Sequence, residues 1–306
     1  MTGIATYVLA ADLVLLLGGF AYAAVSDLRS REVADGLWQL LGVVGFVIGF
    51  LVVIPGGVIP SVLWAVVGLF VIQHLFAWDV RLGPERERYA DLIELTVYVV
   101  VVAVVAVAVA RVGVGATGVP VAVIAVLVTV LFSRGLFEAG ILYGGADAKA
   151  LMVAGLLVPM FPNPWIVYPT VVAPVDQVVP FAVNVLMNAA LFSLVIPAAL
   201  AVHNLRTGEF RLWSGFTGYS IPVEELPRRF VWVRDPAFTP GRVDEESIET
   251  SEDDRRRRVQ IADELRSRGV ARVWVTPQVP FLVLMALGVV GALLAGNWVL
   301  DLIFLF

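Results

Sequence analysis

Apolar residues dominate this chain in long runs, which are separated by short polar, glycine- or proline-bearing breaks. A helix needs about 20 predominantly apolar residues to cross a bilayer, and most of the runs approach that length. The breaks, such as "IPGGVIP" and "RVGVGATGVP", have the composition of short turns. The pattern predicts an all-α polytopic membrane protein with about eight transmembrane segments, at about 4–26, 37–54, 58–78, 91–110, 118–138, 150–168, 178–202 and 279–300.

The sixth segment is the weakest of these, because Pro159, Pro162 and Pro164 interrupt it. Proline removes a backbone donor and kinks or ends a helix. We therefore expect a short, broken or re-entrant helix at 150–168.

A polar insert separates the seventh and eighth segments. Its run "DEESIETSEDDRRRR" predicts a flexible, solvated linker. The following "VQIADELRSRGV" has helical spacing, with Ile261, Leu265 and Val270 on one side. "LPRRFVWVRDPAFTP" and "ARVWVTP" are predicted to be extended, so the insert is expected to be α+β or partly disordered. The predicted division is a transmembrane catalytic core at 1–203, a cytoplasmic insert at 204–278, and a final transmembrane helix with its tail at 279–306.

Composition supports a membrane protein, with 59% hydrophobic residues and a mean hydropathy of +0.90. The absence of cysteine excludes disulfides, thiolate zinc sites and a cysteine nucleophile, and no metal or cofactor is expected. The net charge of −5 lies mostly in the insert and gives no indication of nucleic acid. Twenty of the 21 basic residues are Arg, which together with the acidic insert is typical of a GC-rich, halophilic source.

The basic residues also predict the orientation. No Lys or Arg precedes Arg29, so the first segment lacks the basic start of a cleaved signal peptide, and we expect a span with its N-terminus outside. The short loops then carry two, three and two basic residues inside, seven in all, against one outside, Arg111. Positive charge favours the cytoplasmic side. The segment ends near Asp27 and Asp147 are therefore predicted to face the cytoplasm.

These two carboxylates are predicted to share one depth of the membrane. Asp27 closes the first segment in "AYAAVSDLRSREVADGLW", and Asp147 precedes the sixth in "YGGADAKALM". An ionisable side chain within hydrocarbon costs from about 2.5 to more than 10 kcal/mol, so such a group is usually functional or paired. Two adjacent carboxylates share one proton. One can then activate water while its protonated partner polarises a scissile carbonyl, which is the chemistry of an aspartyl protease.

The residues around Asp147 fit this hypothesis. Gly144 and Gly145 carry no side chains, so that a backbone or an extended substrate can come close, and they permit positive φ. Lys149 is the only lysine. It either follows the preference for positive charge inside or helps to keep Asp147 ionised.

Purely structural roles are the alternative. Asp147 is then the N-cap of the sixth helix, and Asp27 pairs with Arg31 one turn away. The remaining ionisable groups near the membrane are interpreted as packing or interfacial residues: His74, His203, Glu138 and Asp79.

Together, the two stretches resemble the type IV prepilin peptidase family, in its archaeal branch of preflagellin and prepilin peptidases. These membrane aspartyl proteases have one Asp after the first span and another in a Gly-x-Gly-Asp-like motif. "SDLRSREVADGLW" places the first catalytic aspartate at Asp27. "GGADAKALM" places the second at Asp147, with Gly144 and Gly145 at the glycine positions and Lys149 at the usual basic position.

The resemblance covers roughly 5–200 and the last span with its preceding "VWVTPQVPFL", and it has departures. Ala146 replaces the third motif glycine, and no proline follows the first Asp motif. The aspartates lie 120 residues apart, which suggests an added membrane hairpin that preserves their sidedness. Without cysteine, the zinc loop and the N-methylation activity of the large bacterial enzymes are not expected.

The resemblance implies an endopeptidase in the plasma membrane. It would remove the short charged leader from prepilins or pre-archaellins at the cytoplasmic face, with membrane lipid as its surroundings and self-association left open. Two rival hypotheses are a transporter or channel-like protein with "YGGADAK" as a broken-helix ion site, and a membrane scaffold of a pilus system.

Overall fold

The computed structural model describes residues 3–77, 84–112, 119–142, 144–160, 179–234 and 251–304. The helices of the first half are α1 (Gly3–Ser30), α2 (Asp35–Val53), α3 (Val58–Ala77), α4 (Pro84–Val112), α5 (Val119–Glu138) and α6 (Gly145–Leu157). Those of the second half are α7 (Phe181–Ser193), α8 (Val195–Thr207), α9 (Ser251–Ser267), α10 (Phe281–Ala295) and α11 (Trp298–Phe304).

The predicted fold class, a mostly-α polytopic membrane protein with a small β-containing insert, is confirmed. Five helical stretches in the described residues are long and apolar enough to cross a membrane, by length and composition: Tyr7–Ser30, Asp35–Gly56, Val58–Phe76, Val121–Glu138 and Phe181–Thr207. Two shorter apolar stretches, Glu94–Val107 and Phe281–Ala295, correspond to the fourth and eighth predicted segments.

The sixth predicted segment forms the centre of the helical bundle. Its helix, α6, has only 13 residues, and every residue from Ala148 to Leu157 is buried. A helix that is apolar all round is one enclosed by other helices, and α6 packs against α1, α2, α3, α5 and α7. The remainder of that segment, 161–168, lies outside the described residues, and so does Tyr143.

Helix α10 packs against both α1 and α7, and thereby joins the end of the chain to its beginning. Gly288 permits the close contact with α7, because a Cβ at this position would collide with the Val185 carbonyl. The first turn of α10 thus comes to lie beside the last turn of α1.

Residues 208–280, which we call the appendage, form a small α+β unit in the described parts. Its sheet has the order β1 (Tyr219–Pro222), β3 (Arg272–Pro277), β2 (Val231–Val233), with both pairings antiparallel. Ile221 pairs with Val273, and Val233 with Val275. Helix α9 covers this sheet and buries Ala262 and Leu265 in a core separate from that of the bundle. The extended segment "ARVWVTP" and the helix with Leu265 on its inner side were therefore predicted correctly. Of "LPRRFVWVRDPAFTP", the start belongs to a 3₁₀ helix (Val223–Arg228), Val231–Val233 is a strand, and residues 235–240 lie outside the described ones.

The predicted linker "DEESIETSEDDRRRR" is wrong for its second half, because α9 already begins at Ser251; residues 244–250 lie outside the described ones. Acidic residues in the first turn suit the positive end of the helix dipole. Arg255 and Arg256 pair with Glu252 one turn before them, and such pairs stabilise a helix.

Candidate active site

Asp27 lies in the last turn of α1 and is only 9% exposed. Its Oδ2 accepts a hydrogen bond of 3.2 Å from the backbone N–H of Leu282, in the first turn of α10. Its Oδ1 lies 4.0 Å from Nη1 of Arg31. The predicted contact with Arg31 is thus confirmed at the outer limit of an ion pair, and the two carboxylate oxygens face different partners.

Asp147 lies in the first turn of α6, two residues after the helix begins at Gly145. Its backbone N–H donates to the Gly144 carbonyl at 3.1 Å, and its carboxylate accepts a hydrogen bond from the Gly144 N–H. The alternative that placed Asp147 at the N-cap is wrong, because Gly144 occupies that position. The Asp147 carboxylate instead accepts the N–H of the N-cap residue Gly144, as the side chain at position N3 does in a capping box.

Gly144 permits a close contact, and neither Gly144 nor Gly145 has positive φ. Gly144 has φ −97° and ψ 125°, so the positive φ that glycine permits is not used here. A Cβ on Gly144 would lie 2.9 Å from Oδ2 of Asp147. Gly144 therefore leaves room for the carboxylate itself.

The structure brings Asp27 and Asp147 to the same end of the bundle. Helices α1 and α6 pack against each other, and the charge of Asp27 acts on the Asp147 carboxyl. Two carboxylates 120 residues apart in the chain are thus electrostatic neighbours.

The Asp147 carboxyl precedes the apolar part of α6 and lies outside the five candidate membrane spans. Burial raises the pKa of this carboxyl from 3.8 to about 7, and the Asp27 charge raises it as well. The hydrogen bond from Gly144 acts in the opposite direction and lowers the pKa. At neutral pH the Asp147 carboxyl is therefore divided between its protonated and ionised forms, as expected for a carboxyl close to a second carboxylate.

Lys149 is buried, with 1% exposure, and its Nζ lies 2.8 Å from Oδ1 of Asp35, the first residue of α2. It therefore does more than follow the preference for positive charge inside. Asp35 was not among the predicted site residues, although it belongs to the first motif and stands eight residues after Asp27. A buried lysine requires a partner of opposite charge. The position of Lys149 beside an apolar segment was therefore the signal that could have identified Asp35.

His74, His203 and Glu138 have structural surroundings. His74 contacts the Phe70 carbonyl through Nδ1 at 2.8 Å and the Tyr98 hydroxyl through Nε2 at 2.5 Å, in agreement with a packing role. The His203 ring packs edge-on against Tyr219. Glu138 pairs with Arg134 at 2.6 Å. Asp79 lies outside the described residues.

Residues 211–298 match the family model described as Archaeal Peptidase A24 C-terminus Type II. This match confirms the resemblance to archaeal prepilin and preflagellin peptidases. The match covers most of the appendage together with α10. These residues lie outside both motifs, so the resemblance is not limited to the motifs. No curated protein matches the chain. No solved structure matches it either.

Proposed function

From the similarity of residues 211–298 to the archaeal A24 peptidases, which are proteases of prepilin-like substrates, we propose that this membrane protein is an aspartic endopeptidase. In this proposal Asp27 and Asp147 activate one water molecule and cleave the bond between the leader and the mature helix of a prepilin or pre-archaellin. The observation that carries the proposal is the proximity of the two carboxylates at one end of the bundle.

The surroundings of the two carboxyls suggest different roles. Asp27 contacts a backbone N–H and a guanidinium, which both favour a carboxylate, so we assign it as the general base. Asp147, with its pKa of about 7, can hold a proton at neutral pH and donate a hydrogen bond to the scissile carbonyl. Attack by the water then gives a tetrahedral intermediate, and the proton taken up by Asp27 passes to the leaving amine.

The position of the pair at the end of the helices suits a substrate whose hydrophobic helix lies in the membrane and whose charged leader lies outside it. The charge distribution of the loops supports a cytoplasmic location for this end in the plasma membrane. Gly144, Gly145 and Lys149 belong to the proposal as positioning residues. It also keeps the division into a catalytic core at 1–203, an insert at 204–278 and a final helix at 279–306, although α8 continues to Thr207.

The test is to replace each aspartate by asparagine and to follow leader removal from a co-expressed pilin. We expect Asp27→Asn and Asp147→Asn each to lower the cleavage rate by at least about a thousandfold, because neither amide can exchange the proton that the reaction requires.

Asp263→Asn is the matched control. Asp263 is an exposed carboxylate on α9 that pairs with Arg266, and we expect this variant to cleave at the wild-type rate. Complete processing by either of the other two variants would refute the roles of the aspartates. It would favour the transporter or scaffold hypotheses, which the peptidase match already makes weaker.

A further inference from the structure

The residues that match the peptidase family model, 211–298, include neither aspartate. Their role in the proposed peptidase must therefore be something other than supplying the two carboxylates. We propose that the appendage is a positioning element for Asp27, which it reaches through Phe230 and Arg31 on one side and through the start of α10 on the other. This inference rests on the proposed function and names a role for the appendage within it.

The first connection runs through the ring of Phe230, the residue before β2. The Arg31 guanidinium carbon lies 5.1 Å from the centroid of this ring, and that of Arg258 in α9 lies 5.6 Å from it. Both distances are within the range of a cation–π contact. Arg258 is 5% exposed and forms an ion pair with Asp254 on the same helix. The Phe230 ring is therefore in contact with a fixed cation of the appendage and with the arginine that follows α1.

Arg31 is held in an unusual backbone conformation, with φ of 60°. A non-glycine residue in this region is strained and persists only where its surroundings impose it. Here its backbone N–H donates to the Asp27 carbonyl at 3.1 Å, and its Nη1 lies 3.3 Å from the same oxygen. The side chain is thereby directed at the end of α1, where Nη1 also approaches the Asp27 carboxylate.

The second connection runs along the chain from β3 into α10. The Gln278 N–H donates to the Phe230 carbonyl at 2.9 Å, and its side-chain amide donates to Asp254 at 3.0 Å. Gln278 is thus fixed to β2 and to α9. Four residues later, the Leu282 N–H donates to Oδ2 of Asp27. Each oxygen of this carboxylate therefore faces a group whose position depends on the appendage.

The test replaces Phe230 by alanine. We expect kcat to fall by about tenfold or more while KM changes little, because the Asp27 carboxylate loses a fixed orientation and the substrate loses no contact. Phe230→Tyr keeps the ring and is expected to restore kcat. Cleavage of a purified pilin precursor in detergent, with thermal unfolding of each variant, gives these values.

Trp232→Ala is the matched control, because it removes an aromatic ring two residues after Phe230, in β2, at a position that is 53% exposed. It is expected to keep the wild-type kcat. Arg31→Lys keeps the charge but lacks the planar guanidinium, and is expected to lower kcat as Phe230→Ala does, with the appendage unaltered.

The double variant decides whether the two residues act together. If Arg31 acts through the Phe230 ring, Arg31→Lys combined with Phe230→Ala should lose no more activity than the more damaging single change, whereas independent effects multiply. Multiplying losses, or a wild-type kcat in Arg31→Lys, would overturn the inference while Asp27→Asn stayed inactive. Full activity of Asp27→Asn would instead refute the proposed function itself.

Discussion

Asp27 and Asp147 differ in their surroundings, and the proposed mechanism assigns the proton to Asp147 on the basis of this difference. Asp27 accepts from Leu282 and lies near Arg31, whereas the only cause that lowers the pKa of Asp147 is its bond from Gly144. The charge of Asp27 itself raises the pKa of Asp147. The ionised form of Asp27 therefore favours the protonated form of Asp147.

This arrangement predicts the titration of Asp147. Its carboxyl should be protonated below about pH 7 and ionised above, so cleavage should decline as the pH rises through this value. Asp27→Asn removes the neighbouring charge and should lower the pKa of Asp147, although burial will keep it above 3.8. Infrared titration of the protonated carboxyl band measures this without cleavage. An unchanged midpoint in Asp27→Asn would show that the two groups do not interact.

Among the helices, α6 carries Asp147 in its first turn. The helix is buried from Ala148 to Leu157, and the ion pair between Lys149, just after the first turn, and Asp35 joins this end of α6 to the start of α2. Asp147 therefore lies on a helix that its neighbours enclose. Asp27 lies at the end of α1, against which α10 packs.

Gly144 tests how closely the start of α6 fits its own carboxylate. In Gly144→Ala the new Cβ would lie 2.9 Å from Oδ2 of Asp147, so the carboxyl must rotate. We expect the protein to fold and cleavage to fall by about ten- to a hundredfold, since small displacements of a reacting group are costly. Gly135→Ala is the control, because its Cβ would meet no atom within 4 Å. Equal activity of the two variants would contradict a close fit at Gly144.

The sequence predicted these elements to the extent that composition determines them. Apolar runs located the candidate membrane helices, since the length and hydrophobicity of a segment decide whether it can cross a bilayer. Helical spacing located the second half of α9, and the segments predicted to be extended contain β2 and β3. The neighbours of each helix could not be predicted in this way: nothing in "VWVTPQVPFL" indicates that its Leu282 would donate to Asp27, 255 residues earlier. Lys149 and Asp35 were likewise joined only by the packing of α6 on α2.

In the molecule as a whole, the parts that carry the two motifs and the part that matches the peptidase family are different segments of the chain. The motifs lie at Asp27 and Asp147, and the family match at 211–298. The structure joins them, because the matched segment ends in the helix that contacts α1. Both aspartates lie at one end of the bundle, so, in the proposed function, the orientation of the bundle in the membrane decides which compartment supplies the substrate.

The chain contains no cysteine, so single cysteines report this orientation without background. Ser267→Cys places one at the exposed end of α9, and Val58→Cys places one at the start of α3, where the native side chain is 78% exposed. If the active end faces the cytoplasm, a membrane-impermeant maleimide added to intact cells should label the cysteine at position 58 and should label that at 267 only after lysis. Labelling of both cysteines in lysed cells is the control for accessibility. The reverse pattern would place both aspartates outside the cell, where a leader that remains in the cytoplasm could not reach them.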